Sequence, residues 1–400
     1  MKKPQLQPSR TWVEVDYRAI EENARILRNL LSEEAAMMAV VKSNAYGHGM
    51  VESARAAVRG GADWLAVDEL SEALQLRAAR IKAPILVLGY TIPALYAEAV
   101  AQNVSVTVSS LESLQRLAGM KLRKKLRIHL KFDTGLHRQG IPESHIQQAI
   151  RLASAEGFPA VVEGAYTHFA VMEDPMRQDY SKMQARAFRA AVARLQHKGF
   201  TPITHASASS GILFSKDFHF DVGRAGIALY GLWPSPEIRK WSVAGSEAIP
   251  ELVPALSWKT IVSEVKLIEK GAKVGYDLTF EAARPTRLAV IPVGYWHGLP
   301  RSLSNKGQVL VCGKRADIVG RISMDMSVID VTDIPNVRQG DEVVIIGAQS
   351  NGSQKDVMTA EEVAARGDTI HYEIVTRINP LIPRIPADRA SQGPKQGRKG

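Results

Sequence analysis

The chain of 400 residues is 45% hydrophobic and 23% charged, which is typical of a globular protein and predicts two or three domains. It has no run of the roughly 18 apolar residues that a membrane-spanning helix needs, its N-terminus has no apolar signal segment, and its one cysteine, Cys312, excludes an intrachain disulfide, so we expect a cytoplasmic protein with no membrane partner. The net charge of +10 suggests nucleic acid, but it is partly local: residues 385–400, expected to form a basic disordered tail, carry four basic residues and one acidic residue, and the rest of the charge is spread over the chain. We therefore predict no nucleic-acid partner.

Short apolar runs alternate with stretches of helical periodicity from Asp16 to about Gly231. This alternation predicts βα units and a parallel sheet. The candidate strands are Met38–Lys42, Trp64–Val67, Ile85–Leu88, Val104–Val108, Arg127–Lys131, Val161–Thr167, Ile203–Ala206 and Phe220–Val222. Helical segments such as Ser110–Gly119 and Tyr180–His197 fall between them. Eight such strands predict an α/β fold of the TIM type, a (β/α)8 barrel, over residues 16–240.

The pattern changes after Trp233, where the polar stretch 234–254 is expected to be a linker. The following runs predict a mostly β C-terminal domain over residues 241–384. Its candidate strands are Ser257–Leu267, Arg287–Gly294, Gln308–Cys312, Asp317–Val331 and Glu342–Gly347. Thr359 and Glu362 form a capping box that starts one helix, and Thr369–Ile378 predicts a second. We expect the early strand Thr11–Val15, within segment 1–15, to pack with this domain.

Polar residues cluster at the predicted C-terminal ends of the barrel strands, where active sites of this fold lie. Lys42 ends the first apolar strand, and partial burial there would favour the free amine that Schiff-base chemistry needs. A lysine at a strand end can equally extend into solvent. The small residues of Ala206–Gly211 and Gly223–Ile227 offer backbone N–H groups to a phosphate, although ordinary turns have the same composition. The combination predicts a cofactor that is a phosphate-bearing aldehyde.

Other candidates are less specific. Arg138 and Arg224 could equally form surface ion pairs, and His168 could equally be a histidine whose hydrogen bonds are satisfied within the protein. The ten histidines are scattered and Cys312 is alone, so we predict no metal site.

The segment Val41–Gly49 (VKSNAYGHG) resembles a motif of the bacterial alanine racemases, and further motifs follow in the family's order from about Thr11 to Arg384. That family combines a (β/α)8 barrel that binds pyridoxal 5'-phosphate (PLP) with a C-terminal β domain. The resemblance implies an isomerase that interconverts L-alanine and D-alanine by a PLP-dependent two-base mechanism and supplies D-alanine for peptidoglycan.

The resemblance assigns chemical roles residue by residue. Lys42 resembles the Schiff-base lysine, which is also one catalytic base, and Tyr276 resembles the second base. Lys131 and Arg138 resemble a carbamylatable lysine and the arginine it orients towards the cofactor and the substrate carboxylate. Arg224 resembles the arginine that bonds the pyridine nitrogen.

Further residues match supporting positions of the family. His168 resembles the histidine that supports the arginine behind the ring. Contacts with the cofactor phosphate are implied for Tyr46, Ser209, Gly226, Ile227 and Tyr372. The Met324 N–H is implied to meet the substrate carboxylate. Residues of the entrance are implied to be Tyr295, Arg301, Arg321, Ile370 and Tyr372. In the family Tyr276 and Met324 come from the other subunit, so the resemblance also implies a homodimer with shared active sites.

The chain departs from the family pattern at a few places. Ala208 stands where an asparagine is expected, Ser323 replaces a common cysteine, and Asp277 follows the tyrosine where a small residue is usual. Trp296 and His297 alter the entrance motif. These changes leave the substrate range open.

Racemisation requires proton removal on one face of Cα and return on the other, so two bases are expected, each titrating nearer neutrality than its ordinary value of about 10. For the tyrosine, a neighbouring cation must outweigh burial. The alternatives that remain open are a racemase of another small amino acid such as serine, and a non-catalytic PLP-carrier protein. A carrier would resemble the first domain only, and PLP decarboxylases of this fold carry a C-terminal cysteine signature that is not visible here.

Overall fold

The computed structural model of the protein describes residues 9–244 and 249–387. Contacts between Cα atoms divide the chain into two compact units. Within the described residues, the barrel unit consists of 18–45 and 50–254, apart from 245–248, and the β unit comprises 9–17, 46–49 and 255–387. Among the helices of the described ranges, none has the length and apolar character needed to cross a membrane.

The barrel unit is a closed barrel of eight parallel strands, as the sequence predicts. The chain begins with β1 (Thr11–Val15), which belongs to the β unit. The barrel strands follow as β2 (Ala36–Val40), β3 (Trp64–Val67), β4 (Ile85–Tyr90), β5 (Ser105–Val108), β6 (Leu126–Lys131), β7 (Ala160–Tyr166), β8 (Ile203–His205) and β9 (Val222–Ala225). Pairing of β2 with β9 closes the ring. The strands are apolar because both faces are covered: β5 and β9 are buried at every position.

Helical segments connect the barrel strands. They are α1 (Tyr17–Leu30), α2 (Lys42–Tyr46), α3 (Met50–Arg59), α4 (Leu70–Ala78), α5 (Tyr96–Ala101), α6 (Leu111–Ala118), α7 (Ile146–Ala153), α8 (Gln178–Gln196), α9 (Ser209–Phe214) and α10 (Pro236–Ala244). Short 3-10 turns cover Pro93–Leu95, Glu143–His145, Lys216–Phe218 and Ile227–Tyr230. Ser110 caps α6 by accepting a hydrogen bond from the Ser113 N–H, which explains why the predicted helix begins there.

The described part of the β unit is built mostly from antiparallel strand pairs, with β20 parallel to β1, and from two helices. Its remaining strands are β10 (Leu256–Ile261), β11 (Glu264–Ile268), β12 (Lys273–Val274), β13 (Phe280–Glu281), β14 (Thr286–Ile291), β15 (Gln308–Val311), β16 (Lys314–Asp317), β17 (Ser327–Asp330), β18 (Glu342–Asn351), β19 (Gln354–Met358) and β20 (Arg384–Pro386). The main sheet has the order β16-β15-β18-β10-β1-β20, with β19 paired to β18. The helices are α11 (Ala360–Arg366) and α12 (His371–Arg377), and 3-10 turns cover Tyr276–Leu278, Tyr295–His297 and Arg301–Leu303.

Several boundaries differ from those predicted. The eighth barrel strand is β9, so Arg224 lies within a strand and not in the loop beyond Phe220–Val222. The expected linker 234–254 contains α10, because Ser235 caps that helix through the Ile238 N–H. Two predicted strands are broken: Ser257–Leu267 is divided into β10 and β11, and Asp317–Val331 is strand only at its ends.

The end of the chain also differs. Ile385 and Pro386, which the sequence places in the basic tail, lie in β20 and pair with β1. The rest of the predicted tail, from Asp388 onward, lies outside the described residues.

Candidate active site

Lys42 lies at the carboxyl end of a fully apolar strand. Residues Met37 to Val41 are at most 6% exposed, and the Lys42 side chain is 35% exposed, so it is partly buried as the sequence predicts. The next four residues, Ser43 to Tyr46, all have positive φ, between 52° and 55°. This left-handed turn costs roughly 1–2 kcal/mol per residue for L-amino acids other than glycine. Backbone strain of this kind is concentrated at functional sites.

Two carboxylates hold the lysine and its turn. The Lys42 Nζ lies 3.1 Å from Asp68 Oδ1. The carboxylate of Glu72 accepts the Ser43 N–H at 2.6 Å and the Asp68 N–H at 2.8 Å, so it joins the ends of β2 and β3. The amine is therefore fixed by a partner that is 53% exposed and can be released from it.

Lys131 and Arg138 flank the end of β6. Burial, together with the positive charges of Arg138, Arg224 and Lys42, lowers the pKa of Lys131 to about 8. Its Nζ donates to Gln139 Oε1 at 3.1 Å and lies 5.4 Å from the centroid of the Tyr166 ring. Arg138 is exposed and forms no ion pair with the residues that the structure describes. Its guanidinium is thus suited to a carboxylate that arrives from solvent.

Arg224 is held from several sides within the barrel. The residue is 4% exposed, and its guanidinium donates to His205 Nδ1 at 2.8 Å, His168 Nδ1 at 3.1 Å, Thr167 O at 3.0 Å and Ala206 O at 2.8 Å. These bonds use Nη1 and Nη2, and the Nε–H has no partner among the described residues. The remaining donor can meet a neutral ring nitrogen, which is an acceptor.

The imidazoles beside Arg224 are neutral. A guanidinium can only donate, so both Nδ1 atoms accept and each ring carries its proton on Nε2. Burial and then the Arg224 charge lower the pKa of His168 to about 3. The same causes hold the pKa of His205 well below its ordinary value. Burial lowers the pKa of Arg224 itself to about 10, so the guanidinium remains charged at neutral pH.

Ser209 supplies a hydroxyl suited to a phosphate. Its Oγ accepts the N–H groups of Gly226 at 2.9 Å and Ala228 at 3.3 Å, which leaves its own proton free to donate. The residue is 3% exposed, and the hydroxyl has no acceptor among the described residues. The Gly226 N–H, which the resemblance assigns to the phosphate, is donated to Ser209 here. Ile227 begins the 3-10 turn directly after it.

The β unit carries the remaining candidates. Tyr276 is 69% exposed and lies on a turn in which Asp277 has φ 57° and contacts Arg321, with Oδ2 and Nε 2.6 Å apart. Met324 is 55% exposed, and its carbonyl accepts the Trp296 N–H at 2.9 Å. Tyr46 and Tyr372 lie together, with ring centroids 6.4 Å apart. The entrance residues Arg301 and Ile370 belong to the same unit.

The structure thus brings together the candidates of each unit separately. In the barrel unit these are Lys42, Lys131, Arg138, His168, Ser209, Arg224, Gly226 and Ile227. In the β unit they are Tyr46, Tyr276, Met324 and Tyr372. In the ranges 9–244 and 249–387, no group of three or more His, Cys, Asp or Glu side chains could hold a metal ion.

Sequence reasoning did not single out two residues of this cluster, Tyr166 and Asp68. Tyr166 stacks on His205, with centroids 4.5 Å apart, and burial raises its pKa to about 12. Asp68 pairs with Lys42. The signal that could have found them is the period-2 pattern, because each lies at or just beyond the end of a barrel strand.

Family models match nearly the whole chain. The model described as "Alanine racemase, N-terminal domain" covers residues 15–234, and "Alanine racemase, C-terminal domain" covers residues 255–386. A relative named alanine racemase from Symbiobacterium thermophilum is 41% identical over 382 residues, which span 94% of this chain and 96% of the relative. Another, alanine racemase 2 of Oceanobacillus iheyensis, is 39% identical over 94% of this chain and 93% of its own length.

Solved structures show the same similarity. Alanine racemase from Bacillus anthracis, crystallised with bound L-Ala-P, has a TM-score of 0.86 and 36% identity, covering 96% of this chain and 97% of that one. Alanine racemase from D-cycloserine-producing Streptomyces lavendulae has a TM-score of 0.85 and 36% identity, covering 96% and 98%.

Proposed function

The chain belongs to the alanine racemase family, and we propose that it interconverts L-alanine and D-alanine with PLP, using Lys42 and Tyr276 as its two bases. Membership of this family makes it an enzyme, an amino-acid racemase. We further propose that its D-alanine supplies peptidoglycan. The low cysteine content, one in 400 residues, supports the cytoplasm as the compartment.

The observation that carries the proposal is the fixed guanidinium of Arg224. Four acceptors hold the Nη1 and Nη2 atoms of the guanidinium, and its Nε–H is the donor that remains. Because arginine cannot accept a proton, a ring nitrogen opposite it stays unprotonated. Arg224 would thereby keep a bound ring a weaker acceptor of electrons, so negative charge at the substrate Cα would persist for a shorter time. A short lifetime favours return of a proton over transamination and decarboxylation.

The donors of the barrel unit fit PLP. Ser209 offers a buried hydroxyl proton to a phosphate. Gly226 and Ile227 of the same unit, and Tyr46 and Tyr372 of the β unit, are the other residues proposed to hold that group. When bound, PLP supplies an aldehyde for an amine and a conjugated ring that stabilises negative charge at the substrate Cα.

The bases act on opposite faces of the substrate. We assign removal or return of the Cα proton to Lys42 Nζ on one face and to the Tyr276 phenol oxygen on the other. Arg138 binds the substrate carboxylate, helped by the Met324 N–H. The neutral His168 accepts a hydrogen bond from Arg224 and so helps to keep the guanidinium Nε–H in place as the donor to the cofactor ring.

A second copy of the chain is proposed to complete each site. Large side chains lie exposed on the β unit: Tyr276 is 69%, Trp296 57%, Met324 55% and Met326 53% exposed. The exposure of these large side chains supports a homodimer in which a partner would cover them and in which Tyr276 and Met324 would serve the other subunit.

Mixed variants test shared sites directly. Lys42→Ala and Tyr276→Phe are each expected to be inactive alone. If one chain donates the lysine and its partner the tyrosine, co-expression restores about a quarter of wild-type activity, since half the dimers are hybrids and each has one intact site. No recovery in hybrids isolated with two affinity tags would contradict sharing.

The substrate is tested by D-isomer formation from L-alanine and from L-serine, with PLP present, for wild type and Lys42→Ala. Alanine turnover that vanishes in the variant supports the reaction and its base. A serine preference would keep the mechanism and shift the substrate, with Trp296 and His297 at the entrance as the cause. No turnover of either with PLP bound would favour the carrier alternative. The peptidoglycan role is tested by complementation: a D-alanine auxotroph should grow without added D-alanine when it expresses the wild-type chain, but not when it expresses Lys42→Ala.

A further inference from the structure

A chain of buried side chains leads from Arg224 deeper into the barrel. Arg224 Nη1 contacts His205 Nδ1 at 2.8 Å, His205 Nε2 contacts His129 Nδ1 at 2.9 Å, and His129 Nε2 contacts Glu163 Oε2 at 3.3 Å. His129 and His205 are 0% exposed. The chain therefore links four residues from β9, β8, β6 and β7.

The direction of every bond in this chain is determined. Arg224 can only donate, so His205 accepts on Nδ1 and carries its proton on Nε2. That proton is donated to His129 Nδ1, which leaves the His129 proton on Nε2, facing the carboxylate. Burial lowers the pKa of His129, so both rings are neutral. Although burial raises the pKa of Glu163, hydrogen bonds from His129 and Ser105 leave it below its ordinary value, so this end of the chain is an acceptor only.

The fold is shaped around this arrangement. The register of β6 and β7 shifts from Ile128↔Val162 to His129↔Gly164, so Glu163 is an extra residue in its strand. Such bulges redirect a side chain and recur beside active sites. A Cβ on Gly164 would lie 2.2 Å from His129 Nδ1, so the absence of a side chain makes room for the ring. Ser105 also donates to Glu163.

We propose that Glu163 is a positioning residue for Arg224: from the far end of this series of hydrogen bonds it fixes, together with Arg224, which nitrogen of His129 and of His205 carries the proton, so that His205 presents a lone pair to the guanidinium. The role of Arg224 towards the cofactor rests on the function proposed above, whereas the proton positions depend only on the hydrogen bonds that link these four side chains.

The opposite arrangement is unfavourable. If His129 carried its proton on Nδ1, His205 would have to accept on Nε2 and carry its own proton on Nδ1. That proton would face the Arg224 guanidinium, so two donors, Arg224 Nη1 and His205 Nδ1, would meet at 2.8 Å. The ionised Glu163 excludes this state because it requires a donor at His129 Nε2.

The first test needs no variant. In wild-type protein without cofactor, labelled with 15N-histidine, two-bond proton–nitrogen spectra distinguish the two neutral tautomers. We expect His129 and His205 both to carry the proton on Nε2, with assignments from His129→Gln and His205→Gln. A proton on Nδ1 of either ring would overturn the proposal.

Two substitutions at Glu163 distinguish the effect of its acceptor oxygen from the effect of its size and shape. Glu163→Gln keeps an acceptor oxygen and is expected to preserve both tautomers and the affinity for PLP. Glu163→Leu leaves the buried His129 Nε2–H without an acceptor, so that only Arg224 still favours the wild-type proton pattern. Part of the His129 population should then carry its proton on Nδ1, and the Kd for PLP should rise roughly tenfold. Ser105→Ala, which removes another partner of Glu163, is the matched control and should leave the pattern unchanged.

The outcomes distinguish the two proposals. Unchanged tautomers and an unchanged PLP Kd in Glu163→Leu would refute positioning by Glu163, whatever the enzyme's substrate. Tautomers that follow the prediction in a wild type that turns over no amino acid would refute the racemase function and leave the positioning role supported.

Discussion

The buried histidines make the stability of the protein depend on pH. Burial lowers the pKa of His168 to about 3, whereas an unfolded histidine titrates at about 6.5. Below about pH 6.5 the unfolded chain therefore takes up a proton that the folded chain does not. Stability is lost as the pH falls through this range, and between pH 7 and 5 the loss from His168 alone is about 2 kcal/mol. The pKa values of His129 and His205 are lowered too, so both add losses of the same sign.

Urea unfolding followed by circular dichroism at pH 7 and pH 5, at fixed protein and PLP concentrations, measures this loss. His168→Gln keeps an acceptor oxygen for Arg224 but cannot titrate, so its pH-dependent loss should be smaller than that of wild type by about 2 kcal/mol. His145→Gln, on an exposed residue, is the control and should match wild type. An identical pH dependence in His168→Gln and wild type would refute a neutral, partly buried His168.

Three further predictions concern chemistry and packing. Arg224→Glu should raise pyruvate formed per racemisation turnover, because a carboxyl group lets the ring nitrogen hold a proton; an unchanged pyruvate yield would contradict the role of arginine. Gly164→Ala should displace the His129 ring, 2.2 Å from the added Cβ, and raise the PLP Kd, measured by absorbance titration. Removal of residues 388–400 should leave L-alanine racemisation unchanged, whereas a cut before Pro386 removes part of β20 and should lower the midpoint of thermal unfolding.

The barrel could be predicted because its evidence is local. Each strand is a short apolar run, each helix has its own period, and capping residues such as Ser110 and Thr359 mark helix starts that the structure confirms. Strand ends were less predictable. Arg224 lies inside β9 because pairing with β2 extends that strand past the apolar run, and the pairing is not visible in the run itself.

The buried chain behind the site could not be predicted for a related reason. His129, Glu163 and His205 are separated by up to 76 positions and meet only when the barrel closes. Glu163 points towards His129 because of a register shift between two strands, and no composition or spacing in the sequence indicates such a shift. Lys42, by contrast, was found from its own strand end.

The left-handed turn after Lys42 leads to a last prediction. Ser43 has φ 54° and ψ 51°, its side chain is exposed, and its hydroxyl makes no hydrogen bond with the described residues. Glycine adopts this conformation without a steric cost, whereas a β-branched residue does so rarely. Ser43→Gly should therefore be more stable to urea than Ser43→Val by about 1–2 kcal/mol.

Ser71 provides the matched comparison, because it is an exposed serine in the right-handed helix α4. There valine is favoured over glycine by roughly 0.4 kcal/mol, so Ser71→Gly should be the less stable member of its pair. Glycine should therefore be the more stable variant at position 43 and valine the more stable variant at position 71. Both variants at a position lack the serine hydroxyl, so its loss cannot explain the difference between the two positions. If Ser43→Val were as stable as Ser43→Gly, the turn that presents Lys42 would not be left-handed in solution.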